Sequence, residues 1–125
     1  YPALDIKCAD WIPFARMPEF LAAIDVGLLP LIQTENLWIN SKSPTKYFEY
    51  LASGLPTVAS PTSELKRFVR DGEQGFLAAS EDEFVDKMFL LASDGERRLA
   101  MGRAARDLAK DFSIERLGGM LYEIV

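Results

Sequence analysis

The chain has 125 residues, a length typical of one domain, and its 49% apolar and 26% charged residues are typical of a folded globular protein. The net charge of −5 argues against a nucleic-acid-binding surface. The absence of histidine excludes Ser-His-Asp catalysis and argues against a zinc site. The single cysteine excludes an internal disulfide and fits a reducing compartment, the cytoplasm.

The beginning of the chain carries the first predicted strand. Residues 6–12 are β-prone up to Pro13, and Cys8 is expected to be a small core residue of this strand. No apolar run approaches the length of a membrane span, and no signal peptide is visible. Because the chain starts with Tyr1 and not with methionine, we expect a fragment of a longer protein.

Helices and strands are predicted to alternate along the next sixty residues. A helix at 17–24 carries proline in its first turn, and a short apolar strand bounded by proline follows at 25–30. A polar loop spans 33–42 and is long enough to be functional.

Ser43 suits the N-cap of a second helix, Pro44 its first position, and Gly54 its end. The spacing of this helix predicts a buried stripe of Phe48, Leu51 and Ala52, with the hydroxyls of Tyr47 and Tyr50 in water.

The remaining elements continue the alternation. Strands are predicted at 56–59 and 74–78, with a helix at 63–69 between them. The chain is helical from Glu81 until Phe112 and Ser113 break the run, and a last helix follows. Two apolar stripes are predicted to be buried, consisting of Phe84, Val85, Met88 and Leu91 and of Leu99, Ala105, Leu108 and Ala109.

This order predicts an α/β fold, a doubly wound parallel sheet of the Rossmann-like kind covered by helices on both faces. Ligands of such sheets bind outside the carboxyl ends of the strands. The loop after the strand at 25–30 and the helix that starts near Ser43 lie at such an end. A binding site is therefore expected there.

Two chemistries fit the start of that helix. Ser43 and Lys46 have the Ser-x-x-Lys spacing of a nucleophilic serine, but the Ser-Asp-Asn and Lys-Thr-Gly elements that accompany it are absent from the chain. Alternatively, the helix N-terminus, Lys42, Ser43 and Lys46 could hold a phosphate, and Glu49 could accept hydrogen bonds from two sugar hydroxyls. A surface ion pair between Lys46 and Glu49 is the non-functional alternative.

Four segments resemble one enzyme family. They read AIDVGLLP at 23–30, SPTKYFEYLASGLPTVAS at 43–60, VRDGEQGFL at 69–77, and an arginine-rich stretch at 97–106 followed by Phe112 and Ser113. In this order they resemble the C-terminal, donor-binding half of the retaining GT-B glycosyltransferases, glycosyltransferase family 4 (glycosyl transferases group 1).

The resemblance implies a nucleotide-sugar site. Glu49 matches the glutamate that is associated with the ribose in that family, whereas Ser41 stands where the family has a first glutamate. The resemblance assigns the donor sugar and diphosphate to Asn40, Ser41, Lys42 and Ser43 beside Lys46, and the nucleobase to Trp11, Ile12 and Pro13.

The resemblance also implies parts that lie upstream of this chain. One part is the first strand–helix unit of the domain, with an arginine and a lysine that bind phosphate. The other is an acceptor-binding N-terminal domain. Any peripheral membrane contact would be made through these upstream parts. Residues 1–125 would form a single truncated domain, and residues 113–125 would be its terminal crossover helix. The intact enzyme would transfer a hexosyl group with retention and without a metal, in bacterial cell-surface glycan or polysaccharide synthesis. The chain alone would be inactive, and a non-enzymatic nucleotide- or phosphate-binding module is the alternative.

Overall fold

A parallel β-sheet forms the centre of the computed structural model, which describes residues 5–31 and 42–124. Within these residues the strands are β1 (Gly27–Leu29), β2 (Thr57–Ala59) and β3 (Gly75–Leu77), adjacent in chain order. All of them run in the same direction, with Leu28 opposite Val58 and Val58 opposite Phe76. The strands that the sequence predicted at 25–30, 56–59 and 74–78 are confirmed.

Helices precede, connect and follow these strands at the predicted places. A 3-10 turn at Phe14–Arg16 leads into the first helix, and another at Lys110–Phe112 separates the last two. The helices are α1 (Met17–Leu21), α2 (Thr45–Ser53), α3 (Leu65–Phe68), α4 (Glu81–Ser93), α5 (Gly95–Ala109) and α6 (Ile114–Ile124).

Each face of the sheet has its own apolar core, because successive side chains of β2 point to opposite faces. Ala59 packs in a cluster with residues of α2, α3 and α5, including Tyr47, Leu51 and Ala105. Val58 packs in the other cluster, which contains Phe76, Ala78, Leu91 and Met101. Helices therefore cover both faces of a parallel sheet, as the predicted Rossmann-like α/β class requires.

The strand predicted at residues 6–12 is wrong. In the described part of that segment no strand forms, and nearly all of its residues, Cys8 included, are exposed. β-propensity is realised only where a neighbouring strand supplies hydrogen bonds and a buried face, and no described strand pairs with this segment.

Several predicted core positions are also wrong. In α2 the buried residues are Tyr47 and Leu51, whereas Phe48 is only half-buried and Ala52 is exposed. In α4 and α5, Leu91 and Ala105 are buried as predicted, but Val85 and Leu99 are 64% and 66% exposed. Helical spacing marks an apolar stripe, but packing partners decide which part of it is covered.

Helices α2 and α5 approach closely through two glycines. Gly54 ends α2 in the left-handed conformation (φ 72°), as predicted for a helix C-terminus. A Cβ on Gly102 of α5 would lie 2.5 Å from the Gly54 carbonyl oxygen. Because that oxygen belongs to the backbone, only a shift of one helix against the other could make room.

We expect Gly102→Ala to lower the free energy of unfolding by roughly 1–3 kcal/mol, because an added methyl group overpacks the α2–α5 contact. Gly118→Ala is the matched control, because α6 has open space around Gly118 and alanine favours a helix by about 1 kcal/mol. Urea unfolding and far-ultraviolet circular dichroism measure both effects. Equal stabilities for wild type and Gly102→Ala would contradict the described contact.

Candidate functional site

A cleft of about 470 Å³ lies at the carboxyl edge of the sheet, between the end of β1 and the start of α2. Leu29, Pro30 and Leu31 form one wall, and residues 42–47 form the other. Thr62, in the segment after β2, also lines it. This is the position at which the strand order predicted a site.

Ser60 holds the segments after β1 and β2 together beneath this edge. Its backbone N–H donates to the carbonyl oxygen of Leu29 (3.1 Å), and its hydroxyl accepts from the N–H of Leu31 (2.9 Å). Ser60 is buried, and its bond from Leu31 is partly buried. The wall of the cleft formed by residues 29–31 is thereby fixed to the sheet.

The first turn of α2 begins one residue later than the sequence predicted. Pro44 is the N-cap (φ −80°, ψ 38°), and no side chain caps the helix. The Ser43 hydroxyl instead lies 3.1 Å from the hydroxyl of Thr45. Within the described residues the N–H groups of Thr45 and Lys46 have no acceptor, so they are available to an anion in the cleft.

The charged lining of the cleft is positive. Lys42 and Lys46 both line it, and the described lining residues include no carboxylate. Although the whole chain carries a net charge of −5, Lys46 forms no ion pair in the described structure and gives the start of α2 a positive charge that suits an anion. The surface ion pair that was the alternative for Lys46 and Glu49 is not formed.

Glu49 lies one helical turn after Lys46 and is half-buried, outside the residues that line the cleft. Burial raises the pKa of Tyr50, and the negative charge of the adjacent Glu49 raises it further. The Tyr50 ring in turn packs against the backbone of Gly27 at the start of β1. Glu49 is thus held on a well-anchored part of α2.

Tyr47 connects the cleft to the core. The side chain is fully buried and lines the cleft, and its hydroxyl donates to the carbonyl oxygen of Phe68 (3.2 Å). The same hydroxyl accepts from the amide nitrogen of Gln74 (3.0 Å). The prediction of a hydroxyl in water was therefore wrong for Tyr47, because partners distant in sequence surround it.

The structure places only some of the other predicted site residues. Asn40 and Ser41 lie outside the described residues. Trp11, Ile12 and Pro13 line a different cleft of about 380 Å³ with residues of α1, and the two clefts share no lining residue. Helix α1 does contact α2, so the two clefts lie on neighbouring elements.

Ser60, Thr62 and Tyr47 were missed as site residues by the sequence reasoning. Ser60 and Thr62 follow a buried strand directly, and polar residues at that position in a parallel sheet are a signal that could have identified them. Tyr47 had no such signal, because its partners are contributed by α3 and by the turn before β3.

Two features are absent from the part of the chain that the structure describes. No group of three His, Cys, Asp or Glu side chains there could hold a metal ion. No described helix has the length and apolar character needed to cross a membrane.

Comparisons with known proteins point in one direction. A family model described as glycosyl transferase-like matches residues 1–116. A curated relative, the D-inositol 3-phosphate glycosyltransferase of Corynebacterium aurimucosum, is 40% identical over 67 residues. That match covers 52% of this chain and 16% of the relative, so it concerns a small part of the relative's length. No solved structure shows a significant match.

Proposed function

The chain belongs to the glycosyl transferase-like family, and on this premise we propose that it is the donor-binding domain of a retaining glycosyltransferase. The intact enzyme moves a sugar from a nucleoside-diphosphate sugar to an acceptor. One observation carries the proposal: the cleft at the carboxyl edge of the sheet combines two lysines with uncapped N–H groups at the start of α2. The next turn of α2 presents a carboxylate.

The diphosphate is proposed to bind at the start of α2. Lys42 and Lys46 supply positive charge there, and the N–H groups of Thr45 and Lys46 point outward from the helix end. Ser43 adds a hydroxyl at the same edge. These donors match the several negatively charged acceptor oxygens of a diphosphate, because hydrogen bonds to a charged acceptor are stronger than those to a neutral one.

The two ends of the donor are proposed to bind on either side of the diphosphate. Glu49 accepts hydrogen bonds from the ribose hydroxyls, because two adjacent hydroxyls can both donate to one carboxylate. The nucleobase binds at Trp11, Ile12 and Pro13, where the Trp11 ring is 84% exposed and able to stack. The donor sugar binds at Asn40 and Ser41.

The remaining features of the proposal follow the family resemblance. Transfer proceeds with retention, needs no metal, and uses an acceptor-binding domain outside this chain. The transferred group is a hexosyl, and the reaction serves bacterial cell-surface glycan or polysaccharide synthesis on the cytoplasmic side. Residues 1–125 form one truncated domain that ends in a crossover helix, and this chain alone binds donor without turning it over.

The ribose assignment predicts a selective effect of Glu49→Gln. We expect about fivefold weaker binding of the preferred ligand among UDP, GDP and ADP, because a neutral acceptor forms weaker hydrogen bonds than a carboxylate. Binding of inorganic pyrophosphate should not change, because pyrophosphate has no ribose. Titration calorimetry measures both affinities.

Glu96→Gln is the matched control, since Glu96 is exposed near the start of α5 at the opposite, amino edge of the sheet. This variant should bind both ligands as the wild type does. If Glu49→Gln leaves nucleoside diphosphate binding unchanged, or if it changes pyrophosphate binding equally, the ribose assignment is wrong.

A further inference from the structure

A buried hydrogen-bond network holds the first turn of α2 from below. The Tyr47 hydroxyl and the Gln74 amide nitrogen both donate to the carbonyl oxygen of Phe68, at 3.2 and 2.9 Å. The Gln74 nitrogen also donates to the Tyr47 oxygen at 3.0 Å. The three residues come from α2, from the end of α3 and from the turn before β3, so the network joins three parts of the fold.

The carbonyl oxygen of Phe68 can accept these hydrogen bonds because Phe68 is the last residue of α3. A helix leaves its last carbonyl groups without backbone partners. The N–H of Gly72, four residues after Phe68, donates to the Gly75 carbonyl (2.8 Å) instead of continuing the helix. The Phe68 oxygen therefore takes its donors from side chains of other elements.

Gln74 lowers the stability of the fold through one of its side-chain atoms. It is 1% exposed, and its side-chain oxygen is buried without a hydrogen-bond partner in the described structure. An unpaired buried acceptor lowers stability, so an apolar residue of similar volume would be the more stable choice. The favourable contribution of Gln74 is its two hydrogen bonds, to the Tyr47 hydroxyl and to the Phe68 carbonyl oxygen.

We propose that Tyr47 and Gln74 are positioning residues that fix the first turn of α2 in the orientation that receives the diphosphate, an inference that rests on the proposed function. Thr45 and Lys46 immediately precede Tyr47 and line the same cleft. They supply the two free backbone N–H groups and the ammonium group that the diphosphate is proposed to contact. A phenol keeps its proton at neutral pH, and burial raises the pKa of Tyr47 further, so its hydroxyl remains a donor. Preorganised donors of this kind bind without the entropic cost of ordering them.

Three variants separate positioning from ordinary stability. Tyr47→Phe removes the hydroxyl, and Gln74→Met removes both the amide donor and the unpaired oxygen. Thr57→Val is the matched control. The buried Thr57 hydroxyl donates to the Leu55 carbonyl (3.3 Å) at the amino edge of the sheet, whereas the first turn of α2 lies at the carboxyl edge. Unfolding stability, affinity for the preferred nucleoside diphosphate, and backbone 15N order parameters at residues 45–47 are measured for each.

We expect Tyr47→Phe and Gln74→Met to weaken nucleoside diphosphate binding about fivefold, the factor that corresponds to one ordinary buried hydrogen bond. Both should also lower the order parameters at residues 45–47 from the rigid value of about 0.85. Thr57→Val should lose stability like Tyr47→Phe while keeping wild-type affinity and order. Gln74→Met should lose affinity with little loss of stability.

Other outcomes overturn the inference. Wild-type order parameters in Tyr47→Phe and Gln74→Met would show that the network does not position the turn. Equal losses of affinity in all three variants would show a general effect of stability. If the wild type binds no nucleoside diphosphate, the proposed function fails, while the order parameters measured without ligand still decide whether the network holds α2.

Discussion

Lys46→Ala is expected to weaken binding of the preferred nucleoside diphosphate by about tenfold, the low end of the range for a hydrogen bond to a charged group. Lys46 lies in the first turn of α2, lines the cleft and forms no ion pair in the described structure, so its charge is available to a ligand. The low end applies because Lys46 is exposed and water screens its charge. Affinity for inorganic pyrophosphate should fall by the same factor, because the proposed contact of Lys46 is with phosphate and not with ribose.

Titration calorimetry at low and at physiological salt measures this effect, and the difference between wild type and variant should shrink as salt screens the lysine. Lys66→Ala is the matched control, because Lys66 is an exposed lysine on α3 that does not line the cleft. An equal loss of affinity in both variants, or no loss in Lys46→Ala, would remove Lys46 from the phosphate site.

Leu51→Ala is expected to lower the free energy of unfolding by roughly 2–5 kcal/mol, the largest stability effect that we predict. Leu51 is fully buried in the core between α2, α3 and α5. Truncation leaves a cavity that the packed helices fill only partly. The lost transfer free energy and the remaining cavity therefore both lower the free energy of unfolding. A loss of this size is a large fraction of the stability of a small domain.

Urea unfolding of the variant provides the value, with Leu99→Ala as the control. Leu99 was also predicted to be buried, but the structure exposes it, and its truncation should change the stability by no more than about 0.5 kcal/mol. If Leu99→Ala proved as destabilising as Leu51→Ala, the core would be the one that helical spacing predicts and not the one described.

The strands were the most predictable part of the fold. Residues 27–29, 57–59 and 75–77 lie in short apolar runs bounded by proline or glycine, and such runs in alternation with helices imply a parallel sheet. Residues 6–12 have comparable β-propensity but form no strand. Propensity is local, whereas a strand needs a partner that only the rest of the fold can provide.

Helix faces were predicted less well, for a related reason. In α2, helical spacing predicted a buried stripe of Phe48, Leu51 and Ala52, with the hydroxyl of Tyr47 in water. The structure buries Tyr47 because Phe68 and Gln74 satisfy its hydroxyl. Val85 and Leu99 show the opposite error, since their spacing is right for burial but no described element covers them.

The position of the candidate site was predictable, and its inner architecture was not. The carboxyl edge of the sheet and the two lysines near the start of α2, Lys42 and Lys46, followed from strand order and from charge near a helix start. The contacts of Ser60 and Tyr47 depend on chain segments that meet only in the folded state. Such contacts carry no local pattern that a single sequence could reveal.

Titration of the unaltered chain with UDP, GDP and ADP, followed by 1H–15N NMR and by thermal unfolding, tests the donor site most directly. We predict that at least one nucleoside diphosphate shifts the backbone amides of residues 45–47 and stabilises the fold, by about 2.7 kcal/mol at a hundred times its Kd. The corresponding nucleoside without phosphates should do neither. If no nucleoside diphosphate binds, or if one binds without perturbing the first turn of α2, a donor site in this cleft is contradicted.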